Sequence, residues 1–161
     1  MTRPQPARMY ANVHLILERD GQLLLLLRQN TGYADGQYAL VAGYVDEGQS
    51  STAAAVTEAR EEAGLDLCAD DLDLVHITHL QDERGESRYG LFFRPRTWTG
   101  QPVNLEPQYC AGLHWFRPDD LPTTMIPYVR HALTLALQGV PYSEWGFSPP
   151  HRAPQDSGAL Q

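Results

Sequence analysis

No lysine occurs in these 161 residues; all twelve basic side chains are arginine. Helices in this chain therefore lack the lysine–glutamate pairs that usually steady an exposed helix face. Acidic residues outnumber basic ones and leave a formal net charge of −8. That balance excludes a nucleic-acid polymer as the expected partner, because phosphate backbones require a basic surface. Cysteine is nearly absent: Cys68 and Cys110 are too few and too widely spaced for a disulfide framework or a zinc site. No apolar run approaches the roughly 18 residues of a membrane span. The five leucines of residues 23–27, flanked by Gln22 and Arg28, read instead as a buried strand. Arg3 and Arg8 are not followed by the apolar core of a secretion signal, so the expectation is cytoplasmic residence and no membrane partner.

What is present suits one domain with a proper core, since 42% of the residues are hydrophobic. Residues 1–8, with Pro4 and Pro6, read as a flexible arm. Residues 9–147 form the expected single domain, and the Pro-, Ser-, Gly- and Gln-rich residues 148–161 a disordered tail.

Between Met9 and Arg19, Val13, Leu15 and Leu17 alternate with Asn12, His14 and Glu18, and Ile16 breaks the pattern. Asp20-Gly21 then signals a tight turn, so the chain is expected to open with a hairpin into the leucine strand. A glycine-containing loop over 31–37 precedes a short strand over 38–42. A second hairpin is expected from 72–80 and 87–94, with 82–86 as its loop. His76 and His79 in that hairpin fall on opposite strand faces and do not suit joint metal chelation. Residues 98–107 read as a loop, 113–116 as a strand and 126–137 as a helix with apolar residues at Ile126, Val129, Leu133 and Leu137.

The most informative stretch is Gly43–Leu65. Ser50 or Ser51 can cap a helix start, and Gly64 supplies the left-handed position that ends it. At 100° per residue, Thr52, Val56, Ala59 and Ala63 share one narrow arc, and Glu58, Glu61 and Glu62 share another opposite to it. The glutamates repel one another across one turn, with no lysine to offset them. Clustered carboxylates of this kind suit hard divalent cations such as Mg²⁺ or Mn²⁺.

This segment resembles the Nudix box, G-x5-E-x7-R-E-U-x-E-E-x-G-U, where U is a bulky aliphatic residue. Gly43, Glu58, Glu61, Glu62, Gly64 and Leu65 stand at their signature positions. Gln49 replaces the first glutamate, Thr57 the arginine, and Ala59 is smaller than the usual aliphatic residue. The resemblance implies an α/β fold: an α/β/α sandwich with a mixed β-sheet between the box helix and a C-terminal helix. It implies a pyrophosphohydrolase that cleaves a phosphoanhydride bond in a small-molecule nucleoside diphosphate derivative by metal-activated water. Mg²⁺, or Mn²⁺ in its place, would be held by Glu58, Glu61, Glu62 and the Gly43 carbonyl, with Glu106 as a further ligand or base from a loop beyond the box. Glu58 and Glu106 are the candidates for the general base.

Arg28, Tyr38 and Trp98 are candidate substrate contacts, drawn from a wider set of arginines and aromatics that can meet phosphate or base. Many relatives are dimers, so a homodimer is compatible with the resemblance. Two other readings stand beside hydrolysis: a regulatory module of the same fold that binds nucleotide without turning it over, which Gln49 and Thr57 favour, and an enzyme acting on prenyl diphosphates.

Overall fold

The computed structural model describes residues 5–148; residues 1–4 and 149–161, which include half of the expected arm and nearly all of the expected tail, lie outside the described residues. Residues 5–9 are exposed and irregular. The elements are β1 (Tyr10–Leu15), β2 (Glu18–Arg19), β3 (Gln22–Arg28), β4 (Tyr38–Ala39), β5 (Val41–Tyr44), α1 (Ser51–Ala63), β6 (Leu72–Gln81), β7 (Ser87–Pro95), β8 (Cys110–Phe116), α2 (Pro127–Leu137) and β9 (Tyr142–Trp145). A single 3-10 turn, Ala69–Asp71, leads into β6.

Strands β5, β1, β7, β6 and β9 form a mixed sheet in that order, with β1 parallel to β7 and β9 parallel to β6. Strands β2, β3, β4 and β8 form a second, antiparallel sheet around β3. The fold is thus α/β, with a mixed sheet and two helices. Strand β1 is buried at Asn12, Val13, His14 and Leu15 alike, which requires cover on both faces of the sheet. Helix α1 packs on β5 and β1, while Tyr128 of α2 meets the opposite β1 face at His14, ring centroids 6.1 Å apart.

The opening hairpin is narrower than its sequence pattern implies. Asp20 and Gly21 both adopt positive φ, 51° and 73°, as the tight turn between β2 and β3 demands. Strand β1, however, pairs with β5 and β7 and not with the leucine strand. The chain changes sheets at Ile16–Leu17, where the Ile16 amide donates to Phe93 O of the mixed sheet and Leu17 O accepts from Leu24 of the other. The break in alternation at Ile16 marks this crossing. The 38–42 strand is likewise two strands, β4 in one sheet and β5 in the other, joined at the buried Leu40. The hairpin of β6 and β7 and the helix after Ile126 form as the sequence pattern implies, while β8 begins three residues early at Cys110. Leucines 23–26 are each at most 4% exposed, each worth about 1.5–3 kcal/mol of burial. No helix among the described residues is long and apolar enough to cross a membrane.

Candidate active site

Ser50 Oγ accepts from the Ala53 amide at 3.2 Å and starts α1. Gly64, at φ 64°, closes it: its amide bonds to Arg60 O, and the Leu65 amide reaches back to Ala59 O. The buried residues of the helix are Ala54, Ala55, Ala59 and Ala63, with Thr52 and Val56 only half-buried. The buried arc is therefore turned from the expected one, by about 50° at helical spacing, and its centre lies between Ala55 and Ala59. Glu62 falls inside this arc, Glu58 on its flank and Glu61 outside it in solvent. The three glutamates do not form one solvated face, as their spacing suggests; alanines small enough to bring the helix against β5 draw two of them inward.

Glu62 Oε2 accepts a hydrogen bond from the Ala42 amide at 2.9 Å. Burial pushes its carboxyl up to about 8; the Ala42 bond and Arg28 oppose the rise, and Glu58 and Glu106 add to it. Glu58 is pushed up to about 7, first by burial and then by Glu61, Glu106 and Asp46. Its carboxylate lies against Gly43, and a Cβ built on Gly43 would overlap that carboxylate. Glycine at this position thus leaves the space that the Glu58 head group fills.

Glu106 reaches the same region because its loop is tied to α1. The Val103 amide bonds to Ala63 O at 2.9 Å, satisfying a helix-end carbonyl, and Val103 and Leu105 cover Gly64. Asn104 accepts from the Glu106 amide and donates to Cys110 O at 2.7 Å, while Gln29 donates to Pro107 O at 2.7 Å. The 98–107 loop is therefore fastened at both ends. Among the described residues, no three His, Cys, Asp or Glu side chains are gathered as a ready ligand set. The groups whose charges bear on Glu58 and Glu62 here are mostly carboxylates, Glu61 and Glu106 among them; carboxylate oxygens suit a hard divalent cation, and their mutual repulsion is what such an ion would relieve.

Ala42 and Gly43 also line a cavity of about 130 Å³ that is bounded by Asn12, His14, Arg28, Tyr33, Tyr44, Arg88 and Tyr128. Arg28 donates to Tyr33 O and Thr31 Oγ1, both at 3.0 Å, and makes no ion pair among the described residues. His14 is buried, and that burial, with Arg88 nearby, pulls its imidazole down to about 3, so the ring is neutral. The other two candidate substrate contacts lie elsewhere. Tyr38 packs edge-on against Phe116 and His114 of β8, at 5.0 and 5.7 Å. Trp98 stacks parallel to Trp115, holds Arg19 over its ring at 4.0 Å and donates to Glu18 O. His79 stacks on Tyr89, and His76 bonds to Val140 O and Ser143, away from the cavity. A wider hollow of about 480 Å³ between α2 and β9 has no carboxylate in its lining and stands apart from the acid cluster. Asn12, His14 and Tyr128 were not legible as site residues; the only signal was two polar residues at alternate positions in a strand otherwise apolar.

A family model described as NUDIX domain matches residues 7–135. Among solved structures, the chain is similar to a MutT NUDIX hydrolase from Burkholderia pseudomallei, with 27% identity and a TM-score of 0.71 over 79% of this chain and 97% of that one. It is similar to the E. coli ORF135 protein, with 25% identity and a TM-score of 0.63 over 81% and 91%. An ADP-ribose pyrophosphatase from Streptococcus suis shares the fold, with 18% identity and a TM-score of 0.55 over 86% and 98%.

Proposed function

The chain belongs to the Nudix family and is a pyrophosphohydrolase of it, and from that premise we propose that it hydrolyses a diphosphate bond in a nucleoside diphosphate derivative with Mg²⁺ or Mn²⁺ held by its box carboxylates. Enzymes of this family generally cleave such bonds and generally use divalent metals. The observation that carries the proposal is the pair Glu58 and Glu62, two partly buried carboxylates that burial and Glu106 both raise, held against Gly43 and Ala42, which themselves line a cavity that also holds Arg28 and Arg88.

Glu58, Glu61, Glu62 and the Gly43 carbonyl are the proposed ligands, with Glu106 joining from its fastened loop. A divalent ion bound there supplies neutralisation of phosphoryl charge and acidification of water. The chain's own groups do the rest. The Ala42 amide fixes the Glu62 head group, leaving its other oxygen for the ion. Glu58, held near neutrality, suits proton acceptance at physiological pH, and Glu106 is the second candidate for that role. Arg28, without a carboxylate ion-pair partner among the described residues, suits a substrate phosphate. Tyr38 and Trp98, packed elsewhere, drop out of the substrate-binding proposal. The same reading takes residues 9–147 as one functional domain and the enzyme as cytoplasmic, with a homodimer compatible.

The test is chromatographic detection of products from nucleoside triphosphates, nucleotide sugars, dinucleoside polyphosphates and prenyl diphosphates, with Mg²⁺, Mn²⁺ or EDTA. Metal-dependent turnover of a nucleotide, absent in Glu62→Gln, is the expected result. Tight binding of one compound with no turnover of any would replace the hydrolase with a nucleotide sensor.

A further inference from the structure

Arg28 is held at both its backbone and its head group by the loop that follows it. Its carbonyl accepts from the Gly36 amide at 2.8 Å and its amide donates to Gln37 O at 3.0 Å, so residues 29–36 form a loop that closes on Arg28 itself. From the same loop, Tyr33 O accepts from Arg28 Nε and Thr31 Oγ1 accepts from Nη2. The Thr31 hydroxyl has one proton and two oxygens within reach, Tyr33 O at 2.8 Å and Asp35 Oδ1 at 2.6 Å. The shorter bond, to a carboxylate, is the stronger. With the proton given to Asp35, both Thr31 lone pairs are left to accept, one from Arg28 and one from the Tyr33 amide at 3.2 Å. Asp35 is anchored in turn by the Thr31 and Gly32 amides, each at 3.0 Å. It stands behind the hydroxyl and makes no ion pair with Arg28.

The loop takes a strained path to make these bonds. Asn30 and Ala34 lie at φ 54° and 51°, a region that side chains disfavour and that persists only where the surroundings enforce it. What the strain secures is the place of one guanidinium. Arg28 lines the cavity beside Gly43, and its charge bears on Glu62. Left free, so long a side chain would close onto the box carboxylates, and one ion pair would remove both a phosphate contact and a metal ligand. Two neutral oxygens hold it instead. Three of its five N–H groups have no partner among the described residues.

We propose that Thr31 and Asp35 are positioning residues: Asp35 fixes the Thr31 hydroxyl, which with Tyr33 O keeps Arg28 in the cavity wall, off the box carboxylates and free to bind a diphosphate. The inference rests on the hydrolase reading for the place of the diphosphate.

The experiment is calorimetric binding, in Mg²⁺, of methylenediphosphonate, a diphosphate analogue that water does not cleave. Thr31→Val should weaken binding about tenfold and Asp35→Ala about threefold, while Thr31→Ser, which keeps the hydroxyl, should stay within about twofold of wild type. In an Arg28→Ala background Thr31→Val should cost less than about twofold, because the hydroxyl acts only through Arg28. Asp35→Ala with and without Arg28 repeats the cycle if Thr31→Val does not fold. An equal cost with and without Arg28 overturns the inference, since a merely structural loop would show it. So does a Thr31→Ser loss as large as that of Thr31→Val, or wild-type binding no tighter than that of Arg28→Ala. Metal-dependent turnover of a nucleotide with an equal cost in both backgrounds overturns it and leaves hydrolysis standing. A loss of binding that depends on Arg28, with no turnover of any compound, supports it and removes hydrolysis.

Discussion

The Gln49 side-chain amide donates to Thr57 Oγ1 at 3.3 Å, while its carbonyl accepts from the Asp46 amide at 3.2 Å. The two residues that depart from the box signature are thus each other's partners, joining the loop before α1 to the helix without charge.

Because one neutral contact spans the same elements that a glutamate–arginine pair would, the double replacement Gln49→Glu with Thr57→Arg should be tolerated, with kcat/KM within about threefold of wild type. Gln49→Glu alone places an unpaired carboxylate near Glu58 and should destabilise by about 1–3 kcal/mol. Thermal melting and steady-state kinetics of both variants check this. A tenfold or greater gain in the double variant would mean that the natural pair attenuates turnover.

Gly43→Ala should separate activity from stability. The three atoms nearest the new Cβ all belong to the Glu58 carboxyl, which can swing away, so melting should change little. Displacing that carboxylate should lower kcat by about 10²-fold or more. A variant with normal turnover would remove Glu58 from the proposed site.

Glu62→Gln should lower turnover by about 10² to 10³, roughly 3–4 kcal/mol of transition-state stabilisation, yet raise the stability of the metal-free protein at alkaline pH. Glu62 is raised from 4.5 to about 8, and Glu58 to about 7, so between 4.5 and those values the folded state holds protons that the unfolded chain has shed. Stability in EDTA should therefore fall as pH rises through that window. Mg²⁺ should restore more of it at pH 8 than at pH 5, and Glu62→Gln should flatten the decline. Melting temperatures across pH, with and without Mg²⁺, are the measurement.

His14 gives the opposite slope on the acid side. Its folded value is lowered from 6.5 to about 3 by burial and by Arg88, so below 6.5 the unfolded chain takes up a proton that the folded chain refuses. Its contribution is present above 6.5 and is lost as pH falls toward 3. Urea titrations at pH 4 and pH 6.5 should show a smaller pH difference in His14→Phe than in wild type.

The box helix was legible because its signals are local: a serine that caps, a glycine that stops, and alanines between them. Its buried face was not, since which arc is covered depends on where β5 and the 98–107 loop lie. The crossings at Ile16–Leu17 and Leu40 escaped for a similar reason. A strand that leaves one sheet for another keeps its local β pattern and changes only its distant partners. Asn12 and His14 read as the polar side of a strand, but α2 covers that side and makes it the floor of a cavity.

By itself the sequence determined the helix limits, the β6–β7 hairpin, the carboxylate motif and the family it belongs to, all properties of residues within a few turns of one another. Tertiary structure alone decided that Glu62 is half-buried and bonded to the Ala42 amide, that Glu58 occupies the space left by Gly43, that the charge of Glu106 bears on both, and that Arg28 lines the cavity while Trp98 does not. Those outcomes depend on burial and on charge brought together across long chain separations, and no local pattern encodes either.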